Sequence, residues 1–401
     1  MKHEEITIGI SASYNIERNP YEEAAKKYLK DIENNSALQT IPLYRSQVLG
    51  IDNLKFLYTL SGVPIIAHTV LNALSERASG KDVNVRVVGN DEVGRLISLL
   101  NNELDENMEF VHEGAKLSLS NSLEKLFEGE TTAQNYFVTG DIPYARGYTD
   151  SGYFADLTFD LNSHRLSEKL DSVKRNFYSK GKIGDEEHMF KEPNIFHFRE
   201  EGYMVLKDFS DIFYENRKSG GLPNAMYEYF SKRVSVDKEF SKRVMINLGK
   251  GYRQIINMAM QKGRFTRNIA APINFNVVND VASSLFEIDF EFRFTHRDIF
   301  RMLDIDGLNN DWIMYEMISR RLERRGNQDD RLTKLQAALK DKTTLKEFPL
   351  IENLEEVIKE YTLRIDEHLP ADKKISFTNL KTFFQRNSQK EVVEDLTRLL
   401  V

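Results

Sequence analysis

The stretch Tyr136-Phe137-Val138-Thr139-Gly140-Asp141-Ile142-Pro143 decides how the chain is expected to fold. Its apolar run from Tyr136 to Val138 predicts a buried strand. Gly140 and Pro143 predict an abrupt end to that strand, because glycine permits a sharp exit from a sheet and proline cannot donate to one. Asp141 would then stand at the carboxyl end of a buried strand, where open α/β sheets bind ligands. A carboxylate there could hold Mg²⁺, which prefers oxygen ligands; the alternative is that Asp141 caps the following turn.

Strand and helix patterns alternate on the amino-terminal side of this stretch. Strands are predicted at residues 6–11, 83–88 and 108–112, and helices at residues 20–32, 65–74, 92–104 and 122–127. Pro64 suits the first turn of its helix, and Asn121 with Glu124 fits a helix cap. The alternation predicts an α/β fold with a mostly parallel sheet.

The pattern is less regular after residue 150. Strands are predicted at 153–161, 194–198 and 286–294, the last from its alternation of apolar and charged residues, and helices at 234–261, broken at Gly249 and Gly251, and at 311–323. The sequence from residue 326 onward has helical periodicity nearly throughout. We therefore predict a domain of residues 1–325 and a helical C-terminal extension of residues 326–401, whose apolar stripes pack on the domain or on a second subunit.

Composition excludes several classes of protein. The 401 residues are 41% hydrophobic and 29% charged, which is sufficient for a packed core. A net charge of −7 disfavours a nucleic-acid-binding protein. The absence of cysteine excludes disulfides, cysteine-ligated zinc and thiol nucleophiles. No apolar run approaches the ~20 residues of a membrane span, and the first residues lack a signal-peptide core, so we expect a cytoplasmic protein.

Four segments resemble, in order, those of the MobA-like NTP transferase family. They are 48–55 continuing through 61–65, 113–123, 138–143, and 304–307 with Asp311. These segments are similar to the family's lysine segment with its G-x-P helix start, its helix entry with an asparagine, its GD-x-P strand end and its acidic D-x-D stretch. The resemblance covers roughly residues 5 to 325. It implies a three-layer sheet of the GT-A or nucleotide-diphospho-sugar-transferase type.

The resemblance also implies a set of site residues. Asp141 and Asp306 would be the ligands of Mg²⁺, with Asp304 as a structural acid, and Lys55 would neutralise triphosphate charge. Ser11, Asn121 and Gly140, together with Lys55, would contact the nucleotide. The implied reaction is attack of a phosphorylated acceptor on the α-phosphorus of a nucleoside triphosphate, with release of pyrophosphate. It needs charge neutralisation and positioning, and no general base, because a phosphate nucleophile is already ionised.

The sequence departs from the family at one point. Where the family has a glycine-rich loop after its first strand, this chain has Ala12-Ser13-Tyr14-Asn15. The alternative function is therefore a non-catalytic nucleotide-binding or assembly protein of the same fold; a GT-A glycosyltransferase is favoured less. The expected partners are a nucleoside triphosphate, a small phosphorylated acceptor and a second copy of the chain, joined through the C-terminal helices.

A basic stretch has two interpretations. Its residues are Lys242, Arg243, Lys250, Arg253, Lys262, Arg264 and Arg267. The first interpretation is a solvated helix face. The second is a clamp for an anionic acceptor.

Overall fold

The computed structural model describes most of the chain. The described ranges are residues 5–12, 59–114, 118–127, 132–149, 155–163, 179–191, 193–216, 228–229, 231–262, 269–295, 298–305, 310–341, 366–374 and 387–401, with isolated positions 22, 25, 26, 29, 30, 33, 56 and 363. Lys55 and Asp306 lie outside these residues. So does the segment 354–361 of the C-terminal extension, where helical periodicity is predicted.

A seven-stranded sheet forms the centre of the molecule, in the order β12-β7-β10-β6-β1-β4-β5. All neighbouring strands are parallel except β10, which is antiparallel to both β6 and β7. The prediction of an α/β fold with a mostly parallel sheet is confirmed. The strands of this sheet are β1 (Glu5–Ala12), β4 (Asp82–Gly89), β5 (Glu109–His112), β6 (Gln134–Thr139), β7 (Leu157–Asn162), β10 (Ile195–Phe198) and β12 (Phe290–Thr295).

Two smaller sheets accompany the central one. A hairpin pairs β2 with β3, and a three-stranded sheet has the order β11-β8-β9. Their strands are β2 (Thr59–Leu60), β3 (Val63–Pro64), β8 (Ser179–Ile183), β9 (Glu186–Phe190) and β11 (Ile273–Asn274). The sequence analysis predicted neither β8 nor β9.

Helices cover both faces of the sheet, which makes three layers. The α-helices are α1 (Ile65–Ser75), α2 (Asp91–Leu104), α3 (Leu119–Phe127), α4 (Glu200–Asn216), α5 (Lys238–Lys262), α6 (Phe275–Phe286), α7 (Asn310–Arg324), α8 (Asp330–Asp341) and α9 (Asn387–Leu400). Tyr136 and Val138 of β6 enter the core that contains α1, α2 and α7, whereas Phe137 faces the core that contains α3 and α4. This alternation is the period-two pattern of a strand between two helical layers.

Two predicted elements differ from the structure. Helix α5 runs without interruption through Gly249 and Gly251, so the predicted break there is wrong. The preceding helical turn ends instead before Asp237, whose carboxylate caps α5 by accepting a hydrogen bond from the Phe240 N–H at 2.9 Å. A glycine costs a helix only about 1 kcal/mol, which tertiary packing overcomes.

The strand predicted at 286–294 is correct only from Phe290 onward. Phe286 is the last residue of α6, and Glu287 ends that helix in the left-handed conformation, with φ 56°. The amide of Glu287 donates to the Ser283 carbonyl at 2.9 Å, as in an ordinary helix end.

The described part of the C-terminal extension packs into the main core. Leu332, Leu335 and Leu339 of α8 and Val392, Val393 and Leu396 of α9 belong to the same buried cluster as strand β1. The expectation that the extension packs on the domain therefore holds for these helices. The boundary at residue 325 and the pairing of two copies stay predictions. Among the described residues, no helix combines the length and the apolar composition that crossing a bilayer requires.

Candidate functional site

The carboxyl ends of β1, β4, β5 and β6 meet at one edge of the sheet. We call this edge the rim; it consists of Ser11, Gly89, His112 and Thr139 and the residues that follow each of them. Ser11 is in register with Thr139 of β6. The Gly140 N–H continues the pairing by donating to the Ser11 carbonyl at 2.9 Å. Strand β6 ends at Thr139, so Gly140 and Asp141 leave the sheet at the rim, as predicted.

Three segments approach Gly140 too closely for a side chain at that position. A β-carbon there would lie 2.7 Å from Ile66 Cδ1, 2.9 Å from the Ser11 carbonyl oxygen and 3.1 Å from Phe56 Cδ1. Such distances are shorter than van der Waals contact, so glycine is required by space. Phe56 is the chain neighbour of Lys55. The residue that follows the lysine segment therefore lies against Gly140, and Lys55 itself lies outside the described residues.

Asp141 is hydrogen-bonded to Ile305, in the D-x-D stretch near the end of the predicted domain. Asp141 is only 3% exposed, and its backbone carbonyl oxygen accepts a hydrogen bond from the Ile305 N–H at 3.0 Å. Ile305 stands between Asp304 and Asp306. The Asp304 carboxylate forms an ion pair with Lys191, in agreement with a structural role for this acid. Asp306 lies outside the described residues, so its approach to the Asp141 carboxylate stays a prediction.

Asn121 lies inside α3 and does not cap it. Helix α3 begins at Leu119, and the hydroxyl oxygen of Ser118 caps it by accepting a hydrogen bond from the Asn121 N–H at 3.1 Å. The predicted cap at Asn121 is therefore wrong, because Ser118 supplies the same acceptor three residues earlier. The buried Asn121 amide group donates to the Glu113 carbonyl at 2.9 Å. This bond holds α3 at the rim, next to the end of β5.

Ser11 also faces α3. Its hydroxyl lies 3.4 Å from the hydroxyl of Ser122. Ser11, Asn121 and Gly140 thus belong to the same edge of the sheet. Their contact with a nucleotide stays a prediction.

The hairpin of β2 and β3 sets the position of α1. Ser61 and Gly62 form its two-residue turn with φ values of 48° and 79°, the left-handed conformations that a tight hairpin requires. Helix α1 follows directly after Pro64, as predicted. The Thr69 hydroxyl of this helix donates to the Gly140 carbonyl at 3.0 Å. The G-x-P segment is thereby connected to the rim.

The turn that follows Asp141, residues 142–149, is fixed by side chains from two other segments. Two carboxylates accept hydrogen bonds from its backbone N–H groups, and an amide side chain donates to one of its carbonyls. The bonds are Arg146 N–H to Asp298 at 2.7 Å, Tyr148 N–H to Glu76 at 2.8 Å, and Asn72 Nδ2 to the Pro143 carbonyl at 2.7 Å. Burial raises the pKa of Asp298, although the N–H groups of Arg146 and Phe300 oppose that rise.

A buried ionic cluster lies beside this turn, and the sequence analysis missed it. His197 Nε2 lies 2.7 Å from the Asp160 carboxylate, with Arg293 at 2.7 Å and Arg301 at 3.2 Å. Burial alone would raise the pKa of Asp160, but His197 and the two guanidinium groups hold it well below its usual range. Arg301 also donates to the Arg146 carbonyl at 2.9 Å. It therefore connects the Asp141 turn to strand β7.

One carboxylate of the predicted metal site, that of Asp141, lies at the rim. The described residues contain no group of three or more His, Asp or Glu side chains that could hold a metal ion. Mg²⁺ commonly takes only one or two carboxylates and completes its shell with water and substrate phosphates. Asp141 is one such carboxylate.

Comparison with known proteins gives weak similarities of fold. No protein-family model matches the chain, and no curated protein sequence is significantly similar to it. Three solved structures show the kind of fold that it resembles. The first is a hypothetical transferase from Thermus thermophilus, with a TM-score of 0.41, 11% identity and coverage of 76% of this chain and 99% of that one. The second is a 4-diphosphocytidyl-2C-methyl-D-erythritol synthase from Anaerococcus prevotii, with a TM-score of 0.36, 10% identity and coverage of 78% of this chain and 97% of that one. The third is a nucleotidyl transferase from Methanothermobacter thermautotrophicus, with a TM-score of 0.29, 14% identity and coverage of 51% of this chain and 74% of that one. Similarities at these TM-scores carry no argument about activity.

Proposed function

We propose that this chain is a Mg²⁺-dependent nucleotidyltransferase. It would join a nucleoside monophosphate, taken from a nucleoside triphosphate, to a small phosphorylated acceptor and release pyrophosphate. One observation carries the proposal: the chain neighbours of all three predicted catalytic residues meet at the rim. Phe56, the chain neighbour of Lys55, approaches Gly140, the chain neighbour of Asp141. Ile305, the chain neighbour of Asp306, donates a hydrogen bond from its N–H to the Asp141 carbonyl.

The residues have complementary chemical roles in this proposal. Asp141 and Asp306 would hold Mg²⁺, which when bound supplies neutralisation of phosphate charge. Lys55 would add a positive charge for the triphosphate. Ser11, Gly140 and Asn121 would position the nucleotide at the rim. The chain needs no general base, because the attacking phosphate of the acceptor is already ionised.

The alternative is a nucleotide-binding protein that lacks catalysis. The segment Ala12–Asn15 favours it, because it contains none of the glycines whose backbone N–H groups would approach the phosphates closely. A glycosyltransferase that uses a nucleotide sugar is a further possibility, favoured less. We also propose that the protein is cytoplasmic and that two copies of it pair through the helices of the C-terminal extension.

Nucleotide titration in the presence of Mg²⁺ tests the proposal. We expect one of CTP, GTP, ATP and UTP to bind by calorimetry, and pyrophosphate to form when phosphorylated small molecules are added as acceptors. Asp141→Asn should abolish Mg²⁺-dependent turnover while thermal stability stays unchanged or rises, and Lys55→Ala should weaken triphosphate binding. Asp304→Asn is the matched control, since it removes an acid of the same segment that is paired with Lys191, and should retain turnover.

The outcomes separate the candidates. Binding of a nucleoside triphosphate without formation of pyrophosphate from any acceptor would favour the non-catalytic alternative. Failure of all four triphosphates to bind would contradict both functions.

A further inference from the structure

Helix α5 exposes a line of large apolar side chains. Its other side packs against α6 and against the three-stranded sheet of β11, β8 and β9. Phe240 and Gln254 are buried on that side. On the outer side Met245 is 77% exposed, Ile246 78%, Tyr252 62% and Ile256 39%. Positions 245, 249, 252 and 256 follow helical spacing, so three of these side chains and Gly249 form one stripe along the helix, with Ile246 beside it.

The same outer side is strongly basic. Helix α5 contains six lysine and arginine residues and one acid, Glu239, in a chain whose net charge is −7. Lys242, Lys250 and Arg253 are exposed, and helical spacing places them beside the apolar stripe, on the side of Ile246. Arg243 points elsewhere, toward Glu287 of α6 at 2.7 Å. Glu239 forms an ion pair with Lys242 at 2.6 Å, so the net positive charge of the face comes from Lys250 and Arg253.

An apolar stripe flanked by basic residues is the pattern of helices that lie in a membrane interface. We propose that the outer face of α5, defined by Lys242, Met245, Ile246, Lys250, Tyr252, Arg253 and Ile256, docks on an anionic lipid surface. The apolar side chains enter the boundary between headgroups and acyl chains, and the basic side chains attract the anionic headgroups. This proposal is independent of the proposed function.

Shape and charge favour lipid over other occupants. The face lies on a single helix, and a bilayer binds a single helix face without a complementary groove. A second copy of the chain would bring the same lysines and arginines together across a symmetric interface, where like charges repel. A nucleic acid would satisfy the basic side chains through its phosphates but would offer no apolar region to the stripe.

Flotation of the full-length protein with vesicles tests the proposal. We expect binding to vesicles of phosphatidylcholine with about one-third phosphatidylserine, weakened by high salt, and no binding to phosphatidylcholine alone. The double variant Met245→Ser/Ile246→Ser and the triple variant Lys242→Gln/Lys250→Gln/Arg253→Gln should each bind at least about tenfold more weakly. Circular dichroism and a thermal melt establish that each variant is folded; all five substituted side chains are exposed.

Matched controls lie on other helices. Met204→Ser removes an apolar side chain of α4 that is 56% exposed, and Arg95→Gln removes an exposed charge of α2. Both should bind vesicles as the wild type does. Three results would overturn the proposal: no preference for anionic vesicles, binding by folded α5 variants that equals that of the wild type, or light scattering that shows a dimer which Ile246→Ser dissociates. The last result would assign the face to a second copy.

Discussion

The carboxylate of Glu316 accepts a hydrogen bond from the backbone N–H of Ser61 at 2.7 Å, although the two residues are 255 positions apart in sequence. Arg320 donates to the same carboxylate at 2.6 Å. Burial raises the pKa of Glu316, although Arg320 and the Ser61 N–H oppose that rise. Gln336 of α8 completes the attachment by donating to the Ser61 carbonyl at 2.7 Å. Helices α7 and α8 therefore fix the hairpin that leads into α1.

We expect Glu316→Ala to lower the free energy of unfolding by about 2–4 kcal/mol, because it leaves the Ser61 N–H and the Arg320 guanidinium without their acceptor. Urea denaturation measures the loss, and hydrogen exchange at Ser61 should become faster. Glu323→Ala is the control: it removes an exposed carboxylate from the same helix and should change the free energy by less than about 0.5 kcal/mol. Equal effects of the two substitutions would mean that the bond to Ser61 contributes nothing.

Substitutions of two glycines should act in opposite directions. Gly140→Ala should destabilise the protein by about 1–3 kcal/mol, since its β-carbon would meet the Ser11 carbonyl, which belongs to the backbone of β1. Gly249→Ala should stabilise it by up to about 1 kcal/mol, because alanine favours a helix interior. A β-carbon at Gly249 would meet nothing within 4 Å. Urea denaturation of both variants is the measurement, and a neutral Gly140→Ala would contradict the close approach at the rim.

His68 should make stability depend on pH. Burial lowers its pKa to about 4, although hydrogen bonds with the backbone of Leu60 and Val63 oppose that change. A histidine whose pKa is lowered by folding stabilises the protein above its unfolded pKa of about 6.5, and that stabilisation is lost as the pH falls toward the folded value. Between pH 7 and 4 the wild type should therefore lose about 3 kcal/mol more than His68→Gln. Parallel curves for the two proteins would show that His68 does not titrate as expected.

Arg301 should not be replaceable by lysine. Its guanidinium group bridges Asp160 and the carbonyl of Arg146, and a lysine ammonium cannot reproduce that planar set of donors. Arg301→Lys should lower the free energy of unfolding by about 2–4 kcal/mol, because it weakens the charge compensation of a buried carboxylate. Arg398→Lys, at an exposed position of α9, is the control and should be nearly neutral. An equally neutral Arg301→Lys would mean that the ionic cluster does not hold the Asp141 turn.

The sequence predicted best where pattern and packing agree. Strand β6 has a continuous apolar run and a glycine at its end, and both follow from burial between two helical layers. The strands β8 and β9 were missed because Lys180, Lys182, Glu186 and Glu187 leave them without an alternation of apolar and polar residues. Phe286 and Ile288 have the spacing of a strand, but the structure packs them at the end of helix α6, in a hydrophobic cluster shared with helix α4. Apolar spacing over so few residues cannot distinguish the last turn of a helix from the start of a strand.

The candidate site was predictable only in part. Gly140 and Asp141 carry a local signal, an apolar strand that ends at a glycine and an acid. The cluster around Asp160 has no such signal, because Asp160, His197, Arg293 and Arg301 come from four separate segments. Only the order of strands β12, β7 and β10 brings these residues together, and no single window of sequence contains that order.

The shared core of the first strand and the last described helix affects how the protein folds during synthesis. Ile6, Ile8 and Ile10 belong to the same buried cluster as Val392, Val393 and Leu396. Domains commonly fold as they leave the ribosome, amino-terminal parts first. Here the core that contains β1 is complete only after α9, nearly four hundred residues later, has been synthesised. During that interval the surface of α7 on which α9 packs is open to chaperones and to other nascent chains.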